Sequence, residues 1–490
     1  MQKIAAAHIE YPLLGTANSE AKQVYFSLLD DIPDQLALAR SRFYLVRQLE
    51  AGNQFDVDLP RGLNILSSWI ESNTRQVGLQ YREYLEARKA GDARRYFTNK
   101  SHALYFLKAV APTKLVDGAW LYGLLGHWRD VRFSALIRIY LEELGEGLPD
   151  KNHVVIFKKL LASHGCDQWS KLSNAHYVQG AIQLSLAYHA ADFLPETIGF
   201  NLGYEQLALH LLISAYELNE LGIDPYYFTL HVTVDNAASG HAKKALQGLF
   251  DALPRIMDRK AFFQRVINGY KLNLLGRSTN SIIDEFDLRE ELLAILATKR
   301  AVGAQMHSDY CQVAGKSVNE WLSNPVQLPT FLDSLEQKGW IKRNQDPEDS
   351  RFWKLIHGEH AEMFGVFNTY EKQVVYDWIA GDSIANQKSR QSSYKAERRR
   401  HDALAQGKRG KPLNGAPRGV IREHFSGCGG AAEQQDDFNV ELRLLEEQLA
   451  SFSSKDAAMA LLVKLMSPAH HHTAPGLMAT RIFTTLLDAA

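Results

Sequence analysis

Apolar residues recur every third or fourth position along most of the chain, the spacing of a helix with one face against a core. Val24, Leu28 and Leu29, then Leu36, Leu38, Phe43 and Leu45, predict helices within residues 17–50. Asp58-Leu59-Pro60 breaks the pattern, which resumes from Leu63 to Ala90. A helix over Lys100–Ala111 should close at Pro112. Two more helical stretches follow between Asp117 and Leu144, with Trp120, Tyr122 and Trp128 as core. The run Gly145-x-Gly147-x-Pro149 must interrupt helix, since an interior glycine costs about 1 kcal/mol and a proline about 3. Asn201–Leu221 predicts one strong helix, ended by Gly222 and Pro225, and further helices fill residues 258–302.

The texture changes near Ser317. Leu328–Lys338 reads as a short helix. Gly339–Lys342 and Phe352–Ile356 then read as two strands joined across Asp346–Ser350, a hairpin signal. Helix followed by hairpin is similar to a winged-helix module. From Lys388 to Lys411, nine Lys/Arg stand against two acids, which predicts a basic flexible linker. Helices resume at 437–452 and 455–466. The expected organisation is an N-terminal helical region (1–95), a helical core (96–302), the winged-helix-like module (317–382), the linker (383–433) and C-terminal helices (434–490). The fold class is all-α with one small α+β module.

With 490 residues, 46% of them hydrophobic, the chain can fill the cores of two to four domains. Lys plus Arg number 55 against 56 acids, so net charge steers it toward neither nucleic acid nor membrane. The helix before the expected wing carries Asp333, Glu336 and only Lys338, a poor surface for phosphates. The module is therefore read as structural or dimerising, compatible with a homodimer, and DNA binding as the weaker alternative. Three distant cysteines, Cys166, Cys311 and Cys428, fit a reducing compartment. With neither an apolar leader nor an 18-residue apolar run, a cytoplasmic protein is expected. No Gly-x-x-x-x-Gly-Lys-Ser/Thr, no strand-to-helix Gly-x-Gly-x-x-Gly and no Gly-x-Ser-x-Gly occurs, which removes nucleotide, flavin and serine-elbow chemistries.

The candidate chemistry lies between Leu141 and His241. One block, Glu142 to His153, holds Glu143 and His153 around the glycine break. A second, Leu230 to His241, holds His231, Asp235 and His241. Glu205 stands between them. Carboxylates and imidazoles gathered from separate helices suit non-haem iron, which takes mixed O and N ligands and keeps positions open for oxygen. His231 and Asp235, four apart, share one helix face within an apolar run, and such buried groups need a partner to offset desolvation. His210 reads as core or outer-sphere, Tyr226-Tyr227-Phe228 equally as core or as a pocket wall. His470-His471-His472 reads as a loop, because consecutive side chains fan apart; one of them could fold over the site.

The order Glu143-x-Gly-x-Gly-(x)5-His153, then His231-x-x-x-Asp235 and a further His, resembles the haem-oxygenase-like diiron oxidases and oxygenases, over roughly Tyr96 to Leu249. The resemblance implies a haem-oxygenase-like helical bundle that holds two Fe2+ rather than haem and activates O2. It also implies a small amine, amino-acid or fatty-acid substrate, with N-oxygenation first and oxidative C–C cleavage or decarboxylation second. The electron donor is left open. Glu143, His153, His231 and Asp235 match family positions. The family's last His falls on Ala238, so His241 must serve, although six residues past Asp235 is about 240° around a straight helix. A bulge or unwound turn at Ser239-Gly240 would absorb the difference. For the first carboxylate the nearest residue is Asp117, and the bridging carboxylate is Glu205 or its rival Glu196. The ligand set read from sequence is Glu143, His153, Glu205, His231, Asp235 and His241. The alternative of another class is a regulatory or scaffold protein that has lost catalysis and uses the winged-helix-like module.

Overall fold

The computed structural model describes residues 19–234, 240–256, 258–358, 360–383, 393–407 and 440–489. The fold is all-α, as a haem-oxygenase-like bundle requires. Among the described residues the only strands are Gln312–Val313 and Lys316–Ser317, a short antiparallel pair. Side-chain caps set several helix starts: Asp34 accepts from Ala37 N, Asn99 from His102 N and Asn152 from Val155 N. The helix expected to close at Pro112 ends just before it, as Lys100–Ala109. Pro112 itself sits in the first turn of Ala111–Lys114, where its missing N–H is not needed.

Buried apolar residues fall into two clusters. One gathers Ala21–Ile70, Val116–Leu144, Tyr177–Leu202, Ala242–Leu272 and the C-terminal Met459–Phe483. The other gathers Tyr84–Leu115, Val154–Cys166, Leu211–Phe228 and Ile282–Ile379. The chain passes from one to the other at Leu115/Val116, between Leu144 and Val154, between Leu202 and Leu211, and between Phe228 and Ala242. Asp117, Glu143, His153, Glu205, His231 and His241 all lie at or beside these crossings. The polar candidates thus occupy a seam between two largely apolar cores.

Three local expectations are corrected. The wing hairpin does not form. Arg351–Ile356 is a helix, with Trp353 and Ile356 buried three residues apart. The Trp353 indole donates to Glu348 (2.9 Å), and its ring stacks on His357. So short an apolar run fits either period, and the contacts of Trp353 select the helical one. Trp340 N and Ile341 N bond to Leu335 O and only wrap the end of Leu328–Gln337; of the expected ladder, Phe352 N to Trp340 O remains. In the basic stretch, Tyr394–Gly407 is a helix, as Ala396, Ala403, Leu404 and Ala405 favour. Residues 384–392 and 408–439, which include the rest of that stretch, lie outside the described residues. Finally, Asn201–Leu221 is not continuous: Leu194–Tyr204 ends before Glu205, and Leu209–Glu220 begins anew.

Candidate metal centre

Each donor reaches the seam for a local reason. Asp117 follows the Ala111–Lys114 turn and precedes Gly118, whose φ is +78°. A Cβ on Gly118 would stand 2.7 Å from Glu143 Cβ, so only glycine allows that close approach. Glu143 is the last residue of Ser134–Glu143, and His153 the first of His153–Ser163 beyond the glycine break. Glu205 lies just past Leu194–Tyr204, and His231 lies within Tyr226–Val234. His241 opens His241–Ala252 after an extended Gly240, so it enters from a helix of its own.

Two donor groups result, and all their members are buried. Asp117, Glu143, His153 and His231 each offer an atom within 4.8 Å of the others, and Glu143, Glu205 and His241 do the same. Glu143 belongs to both. Its Oε2 lies 2.5 Å from His153 Nδ1, and its Oε1 lies 3.2 Å from His241 Nδ1.

Neighbours fix how the imidazoles face. His231 Nδ1 lies 2.8 Å from Tyr227 O and donates there, which turns Nε2 toward Asp117 Oδ2 at 3.0 Å. His241 Nε2 donates to Glu142 (2.9 Å), itself held by Lys244, so Nδ1 faces Glu143 and Glu205. An imidazole anchored through one nitrogen presents the other as a ligand. The Tyr227 hydroxyl donates to Asp117 Oδ2 at 2.5 Å.

Burial pushes the Glu143 carboxyl up, yet His153 and His241 outweigh it and hold it well below the usual carboxylate range. Against burial likewise, Lys114 and His231 hold Asp117 at about 2. Both acids are therefore anionic donors. Asp117 Oδ1, Glu143 Oε2 and His153 Nδ1 are buried without a hydrogen-bond partner among the described residues. The close pair Glu143 Oε2 and His153 Nδ1 converges without hydrogen-bond alignment. An unpaired buried polar atom costs about 1–3 kcal/mol, and a cation shared by such donors removes that cost. Three carboxylates and three imidazoles with no thiolate suit iron.

Residues 104–273 match the family of iron-containing redox enzymes. No curated protein and no solved structure matches the chain. The matched stretch of this iron-containing redox family spans all six clustered donors. Of the residues singled out from sequence, the structure brings Glu143, His153, Glu205, His231 and His241 together, and Asp235 lies outside the described residues. Asp117, named only as a nearest candidate, stands beside His231. Its signal was an acid, followed by glycine, inside the apolar run Leu-Val-Asp-Gly-Ala-Trp. Glu196 is elsewhere, gripped by Arg265 at 2.6 and 2.7 Å. Tyr227 is the wall residue of its aromatic run, whereas Tyr226 bonds to Asp150 O. None of His470, His471 and His472 joins a donor group.

A cavity of about 480 Å³ opens onto Asp117, Glu143, Glu205 and His231. Lys114, Arg95, Arg277 and His210 line it as well. Lys114 Nζ lies 3.0 Å from the Tyr204 hydroxyl and 3.9 Å from Asp117 Oδ2. Burial and the nearby Lys114 charge push His210 down to about 4, so it is neutral at physiological pH. Among the described residues no helix is long and apolar enough to cross a membrane.

Proposed function

We propose that this chain is a non-haem diiron oxidase or oxygenase that uses O2 to oxidise a small amine or amino acid, with N-oxygenation as the leading reaction. The observation that carries the reading is Glu143, whose two oxygens face two different donor groups. A carboxylate placed so could serve both members of a metal pair. One iron would take Asp117, Glu143, His153 and His231, and the other Glu143, Glu205 and His241. A haem would use one imidazole and leave the buried carboxylates uncompensated. When bound, ferrous ions would supply electrons and an open position for O2.

The chain supplies the rest. Tyr227 packs against the rings of His153 and His231 and Tyr204 lines the cavity beside the donors, and the fixed imidazoles need no reorientation. Lys114, Arg95 and Arg277 give the cavity a cationic lining that suits a carboxylate, and neutral His210 can accept a hydrogen bond from a substrate amine. Converting an amine to a hydroxylamine with O2 also forms water and takes two electrons from an external donor. Loss of a carbon fragment is the second reading, favoured by Lys114, which would draw a carboxylate toward Asp117. Product mass separates the two.

Protein purified with ferrous iron is expected to hold about two irons per chain, and His231→Ala to lose metal and O2 consumption together. Iron well below one per chain, unchanged by His231→Ala, would leave the regulatory or scaffold reading, which a salt-dependent shift with duplex DNA would support. Rapid mixing with O2 across a panel of amino acids, read by absorbance, identifies the substrate.

A further inference from the structure

We infer that the C-terminal helix pair, Lys455–Leu465 and Ala474–Asp488, is a clamp that fixes Glu143 relative to His153, with His471 and Arg481 as positioning residues. The inference rests on the reading of the donor cluster as a metal centre.

The connection from Glu143 to His153 is poorly fixed by itself. Gly145, Glu146 and Gly147 follow one another with φ of +62°, +51° and +81°. For Glu146 the left-handed conformation costs about 1–2 kcal/mol and persists only if the surroundings impose it. Those surroundings are C-terminal, at three points. Tyr140, one turn before Glu143, donates to Met466 O at 2.6 Å. Gly147 O accepts from Arg481 Nε at 3.0 Å, and a Cβ on Gly147 would collide with Leu477 O. Asn152 forms the third point. Its Nδ2 donates to Leu144 O and lies 3.2 Å from His471 Nδ1, while its Oδ1 accepts from Val155 N.

Asn152 thereby ties the end of the Glu143 helix to the start of the His153 helix, and His471 ties Asn152 to the C-terminus. Burial keeps His471 neutral, so its Nδ1 can accept from the Asn152 amide. The His471 backbone is fixed in turn, its N–H bonded to Ser467 O. Met459, Leu462, Met466, Ala479 and Phe483 anchor the pair in the same core as the Glu143 helix. The clamping helices lie outside the 104–273 family match and hold two donors on either side of a break. Metal–ligand distances tolerate only about 0.2 Å of error, and changes behind the ligands typically cost about 10–100-fold in metal affinity.

The test titrates Co(II) into the metal-free full-length chain and follows affinity and the visible ligand-field spectrum. His471→Phe and Arg481→Met are expected to weaken cobalt binding about 10–100-fold and alter the spectrum. His471→Gln, which keeps an acceptor for Asn152, should recover most of the loss. Arg138→Met is the control: it breaks the ion pair with Asp488 between the same segments without touching the connection. It should bind cobalt like the parent chain, and metal-free melting temperatures should stay close across the set. Parent-like affinity and spectrum in His471→Phe and Arg481→Met would overturn the clamp. So would an equal loss in Arg138→Met, which would mark a purely structural role. A parent chain that takes up no cobalt would instead remove the metal reading, and the clamp with it.

Discussion

Glu143 and Glu196 are both buried glutamates in the same bundle, yet their oxygens have different fates. Arg265 engages both oxygens of Glu196, whereas Glu143 Oε2 has no hydrogen bond and faces an imidazole nitrogen in the same condition. Glu205 sides with Glu143, 3.0 Å from His241 Nδ1. Glu205→Gln should therefore weaken cobalt or iron binding at least about tenfold. Glu196→Gln should leave metal binding unchanged and cost about 1 kcal/mol in urea unfolding, because Arg265 is half exposed. An equal loss of metal in both variants would sink the assignment of Glu205. At this scale the sequence showed which residue types gather but not every partner. Four residues are one helical turn, so the sequence could propose His231 with Asp235, which lies outside the described residues. Asp117 reaches His231 across 114 positions, a separation with no period to read.

Among the elements, the breaks matter more than the helices. Glycine and proline announce some of them, so the interruption between Glu143 and His153 was legible, and so was the stop at Gly222, whereas the break at Glu205 was not. Where a short apolar run fits two periods, as at Phe352–Ile356, the choice passes to contacts such as that of Trp353 with Glu348, which no local pattern contains. Gly118 is a break whose side-chain space belongs to Glu143. Gly118→Ala would force a left-handed alanine and push its Cβ into Glu143, for a cost of about 1–3 kcal/mol in denaturant unfolding. Because Glu143 serves both donor groups, cobalt affinity should fall as well. Gly222 has a similar φ of +70° with open space where a Cβ would stand. Gly222→Ala should lose stability without losing metal. Unchanged affinity in Gly118→Ala would show that Glu143 does not need that approach.

For the molecule as a whole, the centre's position between two cores sets what metal does to stability. The periodicity placed helices well, but it could not tell that residues 282–379 would share a core with Tyr84–Leu115, Val154–Cys166 and Leu211–Phe228 while the C-terminal helices joined the other cluster. That sorting depends on contacts between distant segments. It nevertheless decides the energetics. Without a cation, the anionic Asp117 and Glu143 crowd the seam, and Asp117 Oδ1 and Glu143 Oε2 are buried without a hydrogen bond, so the two clusters meet across an unfavourable layer. Metal at both donor groups would turn that layer into a cross-link that touches four crossings of the chain, three for each group. Ligand at about 100 times its Kd adds about 2.7 kcal/mol to a folded state that alone binds it. Chelating the metal should lower the melting temperature accordingly. In hydrogen exchange, protection should be lost on both sides together, around Leu115–Gly118 and Phe228–His231 as well as Tyr140–Leu144 and His241–Ala245. Loss confined to one cluster would mean that the donors belong to a single core and that the ion does not join the two.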